Sequence, residues 1–215
     1  MKKLLFAGIA ALALVSCKSK DQKKTIDNKE GVNSKDSTLV TDSSWGLVNA
    51  SFNIDSLKAR YDAGNLKDER ICGPECADSL DVTFVYRNTP KEFTVYWKDS
   101  AYHKQIELIE TYQEGSPYHT SKGIHVGSTL KDIQTAFPGK ISFSGFGWDY
   151  GGYIGTFANN DFGSMPLGYR LDLPDGTGLD SLFGERQLDT EMPLVKNNLQ
   201  KIVVSTLTLS LNRPK

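Results

Sequence analysis

Apolar positions along this chain fall into short runs of period two more often than into helical stripes. The segment Asp81-Val-Thr-Phe-Val-Tyr-Arg87 alternates and is rich in β-branched and aromatic residues, and Glu92-Phe-Thr-Val-Tyr-Trp97 repeats the pattern. Between them lies Asn88-Thr-Pro-Lys91, whose proline interrupts any ladder, so the two runs predict a hairpin. Val82, Phe84 and Tyr86 are expected on one face and Thr83, Val85 and Arg87 on the other, one buried and one wet. Further strands are predicted over 104–112, 141–144, 152–157, 169–173 and 201–211. Two helices are predicted. One covers 53–62, with Asn53 as cap, Ile54, Leu57 and Tyr61 as the stripe, and Gly64 beyond the end. The other covers 129–137, capped by Ser128 or Thr129, with Leu130, Ile133 and Phe137 as its stripe and Pro138-Gly139 as its stop. Strands with one wet face suit antiparallel pairing. The expected fold is therefore α+β: one antiparallel sheet, open or strongly curved, with the helix 129–137 laid on one face.

The start of the chain follows a different pattern. Lys2 and Lys3 precede twelve uncharged residues, Leu4 to Val15. A helix needs ~20 apolar residues to cross a bilayer core, so this run is too short to span and has the length of a signal-peptide core. Leu14-Val15-Ser16-Cys17 then resembles the lipobox of bacterial lipoproteins: an aliphatic residue, a tolerant position, a small residue and a cysteine. The resemblance implies a removed signal over 1–16 and a covalent lipid on Cys17. Two or three acyl chains supply the stable anchoring that one chain does not. Lys18, in place of the aspartate that resembles an inner-membrane retention signal, favours the outer membrane.

From Lys18 to Ser44 the chain is nearly all polar, with Ile26, Val32, Leu39 and Val40 isolated and six Lys set against five acids. Such a segment buries too little apolar surface to offset the entropy of ordering. Residues 17–44 are expected to form the lipidated cysteine and a flexible tether, and 45–215 a single globular domain. Loss of Lys2 and Lys3 with the signal leaves 23 basic against 26 acidic residues. That balance carries no electrostatic footprint for nucleic acid.

The segment Lys122-Gly-Ile-His-Val-Gly-Ser-Thr-Leu-Lys-Asp-Ile133 resembles one found in small envelope lipoproteins of the Bacteroidota type. It is loosely similar to the opening of BamE-like and β-lactamase-inhibitor-like modules. The resemblance implies a short strand and Gly turn leading into a capped helix that packs on an antiparallel sheet. The residues also explain themselves: Gly127 permits the turn, Ser128 or Thr129 satisfies free helix N–H groups, and Asp132 lies at the positive end of the helix dipole.

Few residue patterns point to chemistry. Cys72-Gly-Pro-Glu-Cys76 is expected to form a disulfide in an oxidising envelope. Its spacing is one residue longer than the thioredoxin-like redox pair, and the Lys-Asp-Glu-Arg before it does not read as the strand such a pair needs. The same spacing resembles a copper motif that adds a distant histidine, for which His103, His119 and His125 are the candidates. None of them stands in a zinc-ligand rhythm. Asp172, Asp175 and Asp180 lack the spacing of a calcium loop. No nucleophile elbow, Walker loop or dinucleotide fingerprint is present. Ser144-Gly-Phe-Gly-Trp-Asp-Tyr-Gly-Gly-Tyr153 is the most unusual segment. It reads either as a twisted hairpin or as a platform on which Trp148, Tyr150 and Tyr153 stack a sugar or peptide while Asp149 accepts hydrogen bonds.

These features describe a membrane-anchored, non-catalytic lipoprotein that binds an envelope protein or scaffolds an assembly. It is expected to need no metal and no cofactor beyond the lipid on Cys17. The alternatives are a glycan- or peptide-binding lipoprotein using the 144–153 segment, and a redox or copper-handling protein using Cys72 and Cys76. Cys17→Ala is expected to abolish acyl labelling and leave the precursor uncut. A shortened, membrane-associated mutant would overturn the lipobox reading.

Overall fold

The computed structural model describes residues 36–73, 76, 78–99, 101–157, 160, 161 and 165–211. The signal, Cys17 and the tether as far as Lys35 lie outside the described residues. Those described fall in one compact unit, Ser34–Lys215.

The strands are β1 (Leu39–Thr41), β2 (Ser44–Trp45), β3 (Val48–Asn49), β4 (Leu66–Cys72), β5 (Ser79–Val85), β6 (Phe93–Trp97), β7 (Ile106–Thr111) and β8 (His119–Thr120) in the first half. The second half adds β9 (Ile141–Ser144), β10 (Ile154–Phe157), β11 (Asn160–Asp161), β12 (Leu167–Asp172), β13 (Gln187–Asp189) and β14 (Val203–Ser210). Helices are short: α1 (Ile54–Tyr61), α2 (Leu130–Ala136) and α3 (Pro193–Lys196). The strands form three sheets, not the single one expected. The orders are β12-β14-β7-β6-β5-β4, β11-β10-β9-β13 and β3-β2-β1-β8. Paired strands are antiparallel except β1 with β8. The strand-rich, antiparallel character stands, with three short helices as in an α+β or mostly-β fold, and the number of sheets is corrected.

Both predicted helices form at their predicted places. Asn53 Oδ1 accepts from the Ser56 N–H at 2.9 Å, capping α1, and Leu57 and Tyr61 are buried. At α2 the Thr129 hydroxyl accepts from the Asp132 N–H while the Asp132 carboxylate accepts from the Thr129 N–H at 2.8 Å. This reciprocal box satisfies N–H groups that a helix start leaves free. Leu130 and Ile133 are fully buried, and the Phe137 ring meets Tyr169 of β12 at 6.3 Å. The Leu130 N–H also donates to the Ile202 carbonyl, which ties the helix to the entry of β14.

Three expectations need correction. First, the tether ends earlier than Ser44. Leu39–Thr41 is a strand, Val40 is fully buried and Ser44 nearly so. Hydrophobic density along a polar stretch does not reveal that one isolated valine plugs a core built elsewhere. Second, Lys67-Asp-Glu-Arg70 belongs to β4, at the edge of the six-stranded sheet. Its charges are what an exposed edge carries to prevent further pairing, so its polarity disguises a strand. Third, the hairpin 81–97 has no wet face at its centre. Thr83 and Val85 lie towards the core, where the Trp97 indole donates to the Thr83 hydroxyl at 2.9 Å. Val82 and Phe84 on the other side are buried too, and the Arg87 guanidinium covers the Phe84 ring at 4.1 Å. Tyr86 leaves the alternation: its φ is +56°, and its ring turns to meet Tyr61 edge-on at 5.8 Å.

The core joins the sheets and helices through aromatic rings. Trp45 of β2 lies 5.1 Å from Tyr118 and 6.2 Å from Phe93 of β6, and Tyr61 of α1 lies 5.5 Å from Phe93. Ile133→Ala is expected to cost about 2–5 kcal/mol, because a fully buried side chain leaves a cavity that its neighbours fill only in part. Chemical denaturation measures this, and a loss under about 1 kcal/mol would show that α2 is not packed as described.

Candidate functional site: a cleft on the outer face of the six-stranded sheet

The inner face of the six-stranded sheet presents Val85, Phe93, Val95, Ile109, Leu207 and Leu209 to the core. Directly paired residues share a face, so the registers define what the outer face carries. One row runs Glu69, Val82, Tyr96, Leu108, Ser210, and the next runs Lys67, Phe84, Thr94, Glu110, Thr208, Gly168. Arg170 pairs with Thr206 beyond them. Two breaks in register add residues to this pattern. Between Tyr96 and Trp97 the partner strand skips Glu107, and between Arg170 and Leu171 it skips Ser205. Such bulges redirect a side chain and bend the strand, and here both extra residues line a cavity.

The larger cavity, about 770 Å³, is floored by Tyr96, Leu108 and Glu110 and walled by Tyr112, Tyr153 and Arg170, with Glu107 and Cys72 on its lining. A second cleft of about 490 Å³ is lined by Trp148, Asp149, Asp172 and Ser205. The two meet at Arg170 and Thr206.

Arg170 organises both. Its Nε donates to the Gly151 carbonyl at 2.8 Å, and Nη2 reaches the carbonyls of Asp149 at 3.1 Å and Trp148 at 3.5 Å. The same guanidinium lies 5.1 Å from the centre of the Tyr153 ring. Gly152 lets the loop come this close. Its φ is +75°, and a Cβ there would stand 1.8 Å from the Leu171 carbonyl oxygen, a position only glycine tolerates.

Glu110 is the unusual ionisable group. Burial pushes its carboxyl pKa up, against the opposing pulls of the Tyr96 hydrogen bond and the Arg170 charge. The Tyr96 hydroxyl donates to Glu110 Oε1, and burial together with that carboxylate pushes the phenol pKa up as well. The Tyr112 phenol is raised by burial and by Glu92, whose carboxylate it approaches at 3.3 Å. At the far end of the face Glu69 behaves in the opposite way. Hydrogen bonds from Arg87 and Lys67 hold its pKa at about 2.

The residues singled out in the sequence are only partly brought together. Trp148 is half-buried and its indole N–H donates to the Gly145 carbonyl at 2.9 Å. Its ring meets Tyr150 at 5.5 Å. Trp148 and Asp149 line the smaller cleft and Tyr153 the larger, while Tyr150, half-exposed, lines neither. Cys72 and Cys76 form a disulfide with Cα atoms 4.8 Å apart. It closes the connection between β4 and β5, so a strand does precede the pair, contrary to the expectation drawn from Lys67–Arg70. His103 stacks on Trp97 at 4.9 Å, and among the described residues no three His, Cys, Asp or Glu side chains converge as a metal site. Asp172 instead caps the Leu173 N–H. Tyr96, Glu110, Tyr112 and Arg170 were not foreseen. The available signal was a charged residue at an alternating position inside a strand pattern, as in Ile106–Thr111 and Leu167–Asp172.

No family model matches the chain, and no curated protein matches it. Among solved structures, it is similar to the uncharacterised protein yfeY from Escherichia coli, with 13% identity and a TM-score of 0.50 over 80% of this chain and 99% of that one. The likeness is one of fold. Among the described residues no helix is long and apolar enough to cross a membrane.

Because the folded-state pKa of Glu110 is raised, stability is greatest while the carboxyl is protonated in both states and falls as pH rises through the folded value. Glu110→Gln is therefore expected to raise the thermal midpoint at neutral pH. The gain should fade below about pH 4, where the unfolded carboxyl is protonated too. A variant less stable than the parent at pH 7 would show that the ionised carboxylate is favoured in the fold.

Proposed function

We propose that this chain is an envelope lipoprotein, anchored through lipid on Cys17 in the outer rather than the inner membrane, that binds a glycan or peptide ligand without transforming it. The observation that carries this reading is the concave outer face of the six-stranded sheet, where three tyrosines and a partly buried carboxyl surround about 770 Å³. Ligand sites are concave, largely preformed and of about this size. A large sheet face turned to water normally carries short polar side chains, whereas this one carries Tyr96, Leu108, Tyr112 and Tyr153.

The aromatic loop 144–153 supports the same reading over that of a broad protein–protein scaffold. A scaffold surface would lay Trp148 and Tyr153 flat, and both instead border grooves. Arg170 spends its donors on loop carbonyls, which gives the rim a fixed shape before any ligand arrives and so reduces the entropy cost of binding.

The test is site-specific photo-crosslinking of the full chain in its native envelope. A photoreactive residue replacing Tyr112 or Tyr153 is expected to give a discrete adduct, and one replacing Leu194, exposed on α3, is not. Equal labelling from all three positions, or none from the tyrosine positions, would overturn the proposal.

A further inference from the structure

The carboxyl and guanidinium side chains that line the larger cleft are Asp81, Glu107, Glu110 and Arg170, and their existing partners leave an imbalance. Asp81 is matched by Arg70, which donates from both Nε and Nη2 at 3.0 Å. Arg170 directs its donors at the 148–151 loop. Among the described residues Glu110 receives one hydrogen bond, from the Tyr96 hydroxyl, and feels the Arg170 charge without an ion pair to it. Among the described residues the Glu107 carboxylate has neither ion pair nor hydrogen bond, and the bulge in β7 places it on the cleft lining. The site thus holds two carboxyl groups without a dedicated cation.

A second, independent observation lies beside Glu110. Thr94, its direct cross-strand neighbour on the same face, is 1% exposed, and among the described residues its hydroxyl has no hydrogen-bond partner. A buried hydroxyl left unpaired costs free energy; this one lies next to Glu110 but is not part of the cleft lining. The walls complete the pattern. The faces of Tyr96, Tyr112 and Tyr153 are electron-rich and attract cations, while Leu108, Leu80 and Ile71 offer an apolar path for a hydrocarbon stem.

We propose that the cleft selects a primary ammonium group on a flexible aliphatic stem, the chemistry of a lysine side chain or a polyamine, with Glu107 and Glu110 as its counter-charges and the tyrosine rings as its walls. This rests on the reading of the cleft as a ligand site. Anionic ligands meet two carboxyl groups there, and a neutral polyol supplies no charge to match them. Around Glu110 stand Tyr96 from β6, Arg170 from β12, Tyr112 past the end of β7 and Thr208 of β14, its cross-strand partner; Glu107, Tyr153, Thr206 and Ser210 lie on the lining of the same cleft. An arriving cation favours the ionised carboxylate, so binding releases a proton and tightens as pH rises through the titration of Glu110.

Calorimetry on the full chain tests this with three probes: Nα-acetyl-lysine methylamide, the same compound acetylated on its ε-amine, and spermidine. Acetylation is expected to weaken binding about tenfold or more, the scale of a partly desolvated charge contact. Glu110→Gln and Glu107→Gln should each weaken the lysine probe, and Glu110→Gln should abolish proton release. The first variant is expected to be at least as stable as the parent, so lost affinity is not lost folding. Tight binding of spermidine alone identifies a free polyamine as the source, and of the lysine probe alone a peptide; either supports the class. Equal binding of the free and acetylated probes, no binding by any probe, or indifference to both carboxyl variants overturns it. Tyr112→Leu and Tyr153→Leu separate the two levels. If they disrupt binding of the probes while the carboxyl variants do not, the cleft binds ligand but not by its charge. If photo-crosslinking from these positions also fails, the cleft reading itself falls.

Discussion

The guanidinium of Arg170 is the contact on which the shape of the outer face depends. Three backbone carbonyls of one loop converge on it, and a tyrosine ring closes over its remaining surface. The Trp148 carbonyl also accepts from the Gly151 N–H at 2.8 Å, while the Gly151 carbonyl, outside any regular ladder, takes its donor from Arg170, which a buried carbonyl needs. An arginine fork supplies several donors in fixed geometry, which a lysine does not. The loop is thereby pinned to the edge of the six-stranded sheet, and the rim of both clefts is set by one side chain. Its positive charge also reaches Glu110, where it moderates a burial effect without cancelling it.

The two faces of the six-stranded sheet divide the work. The inner face meets the aromatic cluster of Trp45, Tyr61, Phe93 and Tyr118, whose rings lie 5.1 to 6.2 Å apart. Offset and edge-on contacts of this kind add to the stabilisation that burial of the rings gives. They also recruit β1, β2 and α1, elements too short to be stable by themselves. The outer face is left free of that duty. It carries an ion-paired end, where Glu69 pairs with Lys67 and Arg87 and the Arg87 guanidinium covers Phe84, and a concave end, where polar and aromatic groups are held without a covering element. The disulfide between Cys72 and Cys76 sits at the rim of that concave end and keeps the tip of the β4–β5 connection closed.

Bulges connect the backbone to this arrangement. In a regular ladder Glu107 would alternate away from Leu108 and lie on the core side, where an ionised carboxylate is strongly disfavoured. The extra residue in β7 resolves that conflict and at the same time curves the sheet. Ser205 in β14 plays a parallel part beside the smaller cleft, its hydroxyl donating to the Arg170 carbonyl at 3.2 Å. Sheet curvature, cleft depth and the position of both residues therefore have a common origin.

Local chemistry made much of the fold legible. The caps at Asn53 and Thr129, the stripe of Leu130 and Ile133, the alternation of β6, β9 and β14 and the pairing of the hairpin all follow from interactions within a few residues, which a pattern records directly. Harder features depended on neighbours far along the chain. Val40 reads as part of a tether because its burial comes from β8 and the aromatic cluster. The polar β4 reads as a loop because its strand character comes from β5. Tyr86 departs from its face because Tyr61 receives it. The candidate site lay furthest from view: Trp148, Asp149 and Tyr153 were noticed as a cluster, but Glu107, Glu110, Tyr112 and Arg170 are assembled by strand register and bulges. By itself the sequence determined where α1 and α2 begin and which alternating runs are strands, because those rest on short-range contacts. Only the tertiary structure decided which face of the sheet stays open and which charges meet there, because a one-residue change in register sends a side chain to the opposite face.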